Sequence, residues 1–311
     1  MKLTRRKLLK LGASAGAYVA VAPSSTQGWS TLLQEGAVVT KPIPSSGEHV
    51  PVIGIGTRDY NTEASSEEKK RFQDTMAAFI EHGGTIFDTA AGYGRSTSET
   101  VLGSLANKLG VSDTIFWATK VDRAPKDEGI ARMEDSFDKL HDDVVDLMQV
   151  HNLRGTSTQL ATIREWQEEG RIRYSGVTTS SARQYEAMVQ TIRTEKINFV
   201  QVNYSLANRG AAEEILPLCA ERGIATLINL PFGRGRLFQA VDGHSLPDFA
   251  TEWCDSWGQF FLKYVVSHPA VTTAIPGTTK PHHAIDNMGA ARGWMPDAKM
   301  RSRMETWFDA L

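Results

Sequence analysis

Residues 88–94 read DTAAGYG, a carboxylate and a phenol five positions apart, placed where an apolar run, TIF, ends. Lys120 closes the run IFWATK and His151 closes VDLMQVH in the same manner. Carboxylate, phenol, ammonium and imidazole are the groups from which acid–base sites are built, provided they are held within hydrogen-bond reach of one another. Each also has a plain reading. DTAAGYG can be a strand end followed by a glycine turn. A lone lysine after a strand is usually solvated, and a lone histidine there is usually a satisfied polar group. The elements that carry the four residues have to decide.

Those elements alternate. Apolar runs at 52–56, 85–89, 115–121, 145–151, 172–178, 199–204, 225–230 and 271–277 read as strands, separated by amphipathic stretches with helical spacing. The strand runs are mostly continuous in apolar residues, as parallel strands covered on both faces are. Ser65-Ser66 with Glu68 has the form of a capping box, Ser96-Thr97-Ser98 before Glu99 is a looser case, and Gly110, Gly170 and Gly223 close helices. Upstream, TKPIP and VPVIG around SSG read as a hairpin. Eight strands alternating with eight helices predict an α/β fold, a (β/α)8 TIM barrel with an N-terminal β-hairpin and a C-terminal helix, over residues 38–311. A doubly wound sheet is the alternative, but no GxGxxG follows a first strand. In a barrel the strand ends share one rim, so Asp88, Tyr93, Lys120, His151, Thr178, Thr179, Gln201, Asn203, Asn229 and Thr278 converge there. The long connection 231–251 lies over that rim as a lid candidate. Tyr60, Trp117, Asn152 and Tyr204 are candidates for shaping a pocket, although aromatic residues near barrel strands more often pack in the core.

The chain has 311 residues, 41% hydrophobic and 23% charged, with a net charge of −2. Five basic residues fall within the first ten, and an apolar run from Leu11 to Ala22 follows. That run has the length of a signal core and is too short to span a bilayer comfortably. Arg5-Arg6 within TRRKLLK gives residues 1–28 the form of a twin-arginine leader, which predicts export of the folded protein to the periplasm, or a membrane-tethered protein where the leader is not cleaved. Beyond the leader the charge is about −7 with no basic stripe, which argues against nucleic acid and anionic lipid as partners. Cys219 and Cys254 show no metal-ligand spacing and read as free, packed thiols, and no metal is expected.

The order DTA–x–x–YG, then ATK, then VH, each at a strand end, resembles the aldo-keto reductase superfamily over roughly residues 40 to 290. The resemblance implies hydride transfer from a reduced nicotinamide to the carbonyl of a small aldehyde or ketone. Tyr93 would be the general acid, Lys120 would stabilise its phenolate, Asp88 would hold the lysine, and His151 would orient the carbonyl oxygen. On the cofactor side, Thr178-Thr179 stand where the family has a Ser-Asn pair, and Gln201 matches the family glutamine on the carboxamide. Asn229 occupies a place where many members have a stacking tyrosine, which leaves Phe232 to supply a ring or the stacking absent. Gly233 and Gly235 in GRG resemble the loop around the pyrophosphate. The stretch IPGTTKPHHAIDN resembles the adenosine-binding segment at Ile275, Pro276, Thr278 and Asn287. Gly277 and His283 replace the usual basic pair against the 2′-phosphate, with Lys280 as a substitute charge. NADP is the cofactor implied, with NAD left open, and a monomer is the family's usual state. The alternative reading is a non-catalytic nicotinamide-binding or regulatory barrel.

Overall fold

A computed structural model describes residues 36–311; the predicted leader, residues 1–28, lies outside them. Two short strands come first, β1 (Thr40–Pro42) and β2 (His49–Pro51), paired antiparallel as the predicted hairpin with Lys41 opposite Val50. Eight parallel strands follow: β3 (Ile55–Gly56), β4 (Ile86–Asp88), β5 (Phe116–Val121), β6 (Val145–Val150), β7 (Ile172–Thr178), β8 (Phe199–Asn203), β9 (Ala225–Asn229) and β10 (Thr273–Ala274). Each pairs with the next in chain order. The ring is completed between its ends: Gly54 N donates to Ala274 O at 2.8 Å and Gly56 N to Pro276 O at 3.0 Å. The (β/α)8 barrel expected from the sequence is the fold.

Around it lie α1 (Ser66–Glu81), α2 (Ser98–Leu109), α3 (Lys126–Leu140), α4 (Thr156–Glu168), α5 (Tyr185–Thr194), α6 (Ile215–Glu221), α7 (Arg236–Ala240), α8 (Trp257–Val266), α9 (Pro281–Gly289) and the C-terminal α10 (Ala298–Asp309). Ser65 caps α1 in a complete capping box with Glu68. At α2 the looser serine–threonine pattern makes no side-chain cap, because the Thr97 hydroxyl donates to Gly94 O instead. Helix α8 begins where Ser256 caps it, accepting from Gln259 N. The connection 231–251 is less open than expected, holding α7 and a short 3-10 turn at Asp248–Ala250.

Successive strand residues face opposite sides of the sheet, and that alternation builds the site. The floor of the barrel interior is packed by Ile86, Phe116, Leu147, Tyr174, Phe199 and Ala225, closed below by Ile43 and Val50 of the hairpin. Two residues further along each strand, or four, the same inward column reaches a polar group at the rim. Ile86 leads to Asp88, Phe116 through Ala118 to Lys120, Leu147 to Gln149, and Phe199 to Gln201. The outward-facing partners Trp117, Met148, Val177, Val200 and Ile228 pack under the helices in the larger core. Tyr60, Trp117 and Tyr204 belong to that core, so their place is packing rather than the pocket.

Candidate active site

Asp88 and Lys120 meet at the top of the barrel interior, 2% and 1% exposed. Lys120 Nζ donates to Asp88 Oδ1 at 2.7 Å and to Thr89 O at 2.5 Å. The other carboxylate oxygen, Asp88 Oδ2, accepts from Gln201 Nε2 at 2.7 Å and from Gln149 Nε2 at 3.3 Å. A buried ion pair is stable only when its remaining hydrogen-bonding capacity is met, and these amides meet it. Gly176, across from Gln149 on β7, leaves the room: a Cβ there would come within 3.2 Å of Gln149 Cγ.

Tyr93 hangs over this pair. The Lys120 ammonium lies 4.9 Å from the centre of the Tyr93 ring. The His151 ring stands edge-on to the same phenol, with centroids 6.1 Å apart and planes at 80°. Burial opposes the charge on Lys120, but Asp88 and then Tyr93 more than offset it, and its pKa is raised. His151 goes the other way: burial first, then the Lys120 charge, pull it down to about 4, so its imidazole is neutral at physiological pH. The four residues singled out by type and spacing thus form one cluster, with Lys120 lying between Asp88 and Tyr93.

A cavity of about 690 Å³ opens beside them, within the range of small-molecule and cofactor sites. Asp88, Tyr93, Gln201, Phe232, Gly235, Gly277, Thr278, His283 and Asn287 line it. Other predicted positions lie off its wall. Thr178 and Thr179 are buried beneath it, and the Thr179 hydroxyl donates to Gln184 Oε1 at 2.6 Å. Pro276 takes part in closing the barrel through its carbonyl, as described above. Lys280 is exposed as the residue before α9, and its backbone N donates to Thr278 Oγ1 at 3.1 Å. Gly233 flanks the lining without joining it. Arg58, Asp59, Arg234, Phe238, Trp257 and Asp286 line the cavity and were not foreseen, because they come from loops, from the start of α8 and from within α7 and α9, with no local signature. Gln149 was legible, two places before His151 on the same inward column, but no motif marks it.

The match to the aldo/keto reductase family spans residues 52–302. This chain belongs to that family. As a family member it is 29% identical over 210 residues to Aldo-keto reductase YhdN of Bacillus subtilis (strain 168), an alignment covering 63% of this chain and 62% of that protein. The chain therefore matches a little under two thirds of that relative's length. An aldo-keto reductase from Klebsiella pneumoniae, solved in complex with NADPH, is 24% identical with a TM-score of 0.72 over 87% of this chain and 95% of that one. The glycerol dehydrogenase AKR11B4 from Gluconobacter oxydans is 18% identical with a TM-score of 0.73, covering 87% and 95%. At such identities the likeness to the solved structures is one of fold. Within this aldo/keto reductase, one atom of the cavity wall asks for a ligand. Asn229 donates through Nδ2 to Thr179 O at 3.0 Å, which leaves Asn229 Oδ1 buried without a hydrogen-bond partner. A carboxamide N–H donor of a nicotinamide suits that acceptor.

Proposed function

We propose that this aldo/keto reductase reduces the carbonyl of a small aldehyde or ketone to the alcohol with NADPH as reductant. The observation that carries the reading is the Asp88–Lys120–Tyr93 cluster with the neutral His151 edge beside it, opening on one cavity. Gln201 and Asn229 would hold the carboxamide, Phe232 and the Arg234–Gly235 loop the middle of the dinucleotide, and Thr278, His283 and Asn287 its adenosine end. The NADPH complex of the similar Klebsiella pneumoniae enzyme supports the choice of nucleotide. When bound, the reduced nicotinamide supplies a hydride to the carbonyl carbon.

The chain's own residues supply the proton. A phenol is a weak acid, so passing its proton to the product oxygen needs the negative charge left behind to be stabilised. Lys120, buried and kept charged by Asp88, stabilises the negative charge that grows on the Tyr93 oxygen. His151, being neutral, offers one N–H to the carbonyl oxygen without competing as an acid. The proton leaves Tyr93 for the alkoxide oxygen, and solvent restores it at the open cavity mouth.

Tyr93→Phe tests this. It should lower kcat by about 100-fold or more while leaving NADPH affinity within about threefold, because it removes the proton and little else. Tryptophan quenching reads the affinity, with Trp257 in the cavity wall as reporter. Unchanged turnover would sink the assignment and leave a binding barrel. The proposal extends to the N-terminus, where Arg5-Arg6 and the apolar run after them support twin-arginine export of the folded protein to the periplasm. Changing Arg5→Lys and Arg6→Lys together should move the protein from the periplasmic to the cytoplasmic fraction, and an unaltered distribution would exclude this route.

A further inference from the structure

The cavity wall near Tyr93 carries a cation that the proton relay does not use. Arg58 follows β3 and lines the cavity together with Asp88 and Tyr93. Its backbone is tied to the catalytic loop, the Arg58 carbonyl accepting from Gly94 N at 2.9 Å. Arg234, the other arginine of the cavity wall, stands in the 3-10 turn after β9, in the loop given above to the middle of the dinucleotide, while Arg95 pairs with Glu63, and Arg123 and Arg132 share Asp122 at 2.8 and 3.3 Å. That pairing also leaves Asp122, the carboxylate whose field reaches His151, neutralised from its own side of the rim. Arg58 has no carboxylate partner among the described residues, and its side chain is exposed. The opposing charge in its own loop is Asp59, which also lines the cavity and makes no ion pair with it.

A guanidinium presents parallel N–H donors that match a carboxylate, and such charge-assisted pairs are the strong ones in a half-enclosed site. Resting on the carbonyl-reductase reading, we infer that the substrate carries a carboxylate a few atoms from its carbonyl, and that Arg58 grips this carboxylate while the carbonyl oxygen faces Tyr93 and His151. The chemical class is therefore an oxo acid or carboxylated aldehyde, as opposed to a neutral sugar or alkyl aldehyde. Asp59 limits how far the preference goes and makes its own removal informative.

The test compares kcat/KM for matched pairs on the full-length protein at saturating NADPH: 4-carboxybenzaldehyde against its methyl ester, and succinic semialdehyde against its methyl ester. The wild type should favour each acid by about tenfold or more, the scale of one charge-assisted pair. Arg58→Met should bring that ratio near unity, Arg58→Lys should keep part of it, and Asp59→Asn should raise it. About 0.5 M salt should compress it, since the mouth of the cavity is open to screening. Equal use of acid and ester by the wild type, or a preference that survives Arg58→Met, overturns the inference. So does a weakened NADPH affinity in Arg58→Met with the ratio unmoved, which would assign Arg58 to the nucleotide phosphates. If no aldehyde oxidises NADPH, the reductase reading has failed as well, a result distinct from turnover without preference.

Discussion

Tyr93 reaches its place because the residue after it is a glycine. Gly94 has φ of 55°, and a Cβ there would fall 1.8 Å from Tyr60 O. No side chain fits without moving one loop away from the other. The rim repeats the theme: Arg95, Asn152, Leu153, Leu230 and Arg234 all hold positive φ between 51° and 61°, next to Tyr93, His151, Asn229 and Phe232. Backbone in this region costs on the order of 1 kcal/mol or more for such residues and persists where surrounding contacts over-determine it. Gly94→Ala is expected to lower stability by about 1–3 kcal/mol and kcat by about tenfold or more, because Tyr93 shifts off the Lys120 axis. Chemical denaturation and steady-state kinetics check both, and a kcat within twofold of wild type would show that Tyr93 is placed by something else.

At the scale of elements, the site is held by the seams between strand ends and α2. Ser98 Oγ donates to Thr57 O at 2.9 Å and lies 3.1 Å from Thr89 Oγ1, so the helix that follows Tyr93 is tied to the ends of β3 and β4. Its neighbour Glu99, 1% exposed, accepts from Thr119 Oγ1 at 2.5 Å, and Thr119 immediately precedes Lys120 on β5. Burial raises the Glu99 pKa, against the hydrogen bonds from Thr119 and Ser136. This one contact couples the Tyr93 side of the site to the Lys120 side. Glu99→Gln, which keeps the shape and an acceptor, should lower kcat by less than about threefold. Glu99→Ala should cost about 2–3 kcal/mol, leaving Thr119 unpaired beside a void, and should reduce kcat more than it raises KM. Equal behaviour of the two variants would place Glu99 outside the site's support.

At the scale of the whole molecule, the barrel is sealed below as firmly as it is open above. Lys41 of the hairpin donates to Val266 O, His268 O and Val271 O at 2.8, 3.0 and 2.5 Å, and Tyr174 of β7 donates to Glu48 Oε2 at 2.7 Å. Two half-buried histidines stand at opposite ends: His151 at the rim and His268 near the floor. Burial pulls both to about 4. The unfolded chain takes up these protons near the ordinary value of about 6.5, while the folded chain resists until about 4. Stability should therefore fall as pH drops from about 6.5 towards 4, and stay flat with respect to both groups above that window. Thermal unfolding across pH 4–8 reads this, and His268→Gln should flatten part of the slope. A melting temperature that does not fall between pH 6.5 and 4.5 would contradict the desolvation of the two imidazoles.

Much of this architecture was legible in the chain. Parallel strands buried on both faces have to be apolar runs, so their number and order, and with them the barrel, can be read from local composition. Residue type and strand-end position were enough to mark Asp88, Tyr93, Lys120 and His151, because period-two alternation carries an inward column from floor to rim. Other features depend on chain segments meeting far apart in sequence. Gln149 matters only because Asp88 needs another donor across the barrel. Pro276 serves the seam because β3 and β10 close the ring at Gly54 and Gly56. Arg58 enters the cavity wall from a loop, Trp257 from the start of α8 and Asp286 from within α9, and no local pattern dictates that these segments meet. Local physics, propensity and alternation, determined which strands form and which side chains face inward. Long-range packing alone decided which of those side chains touch and which charges are paired.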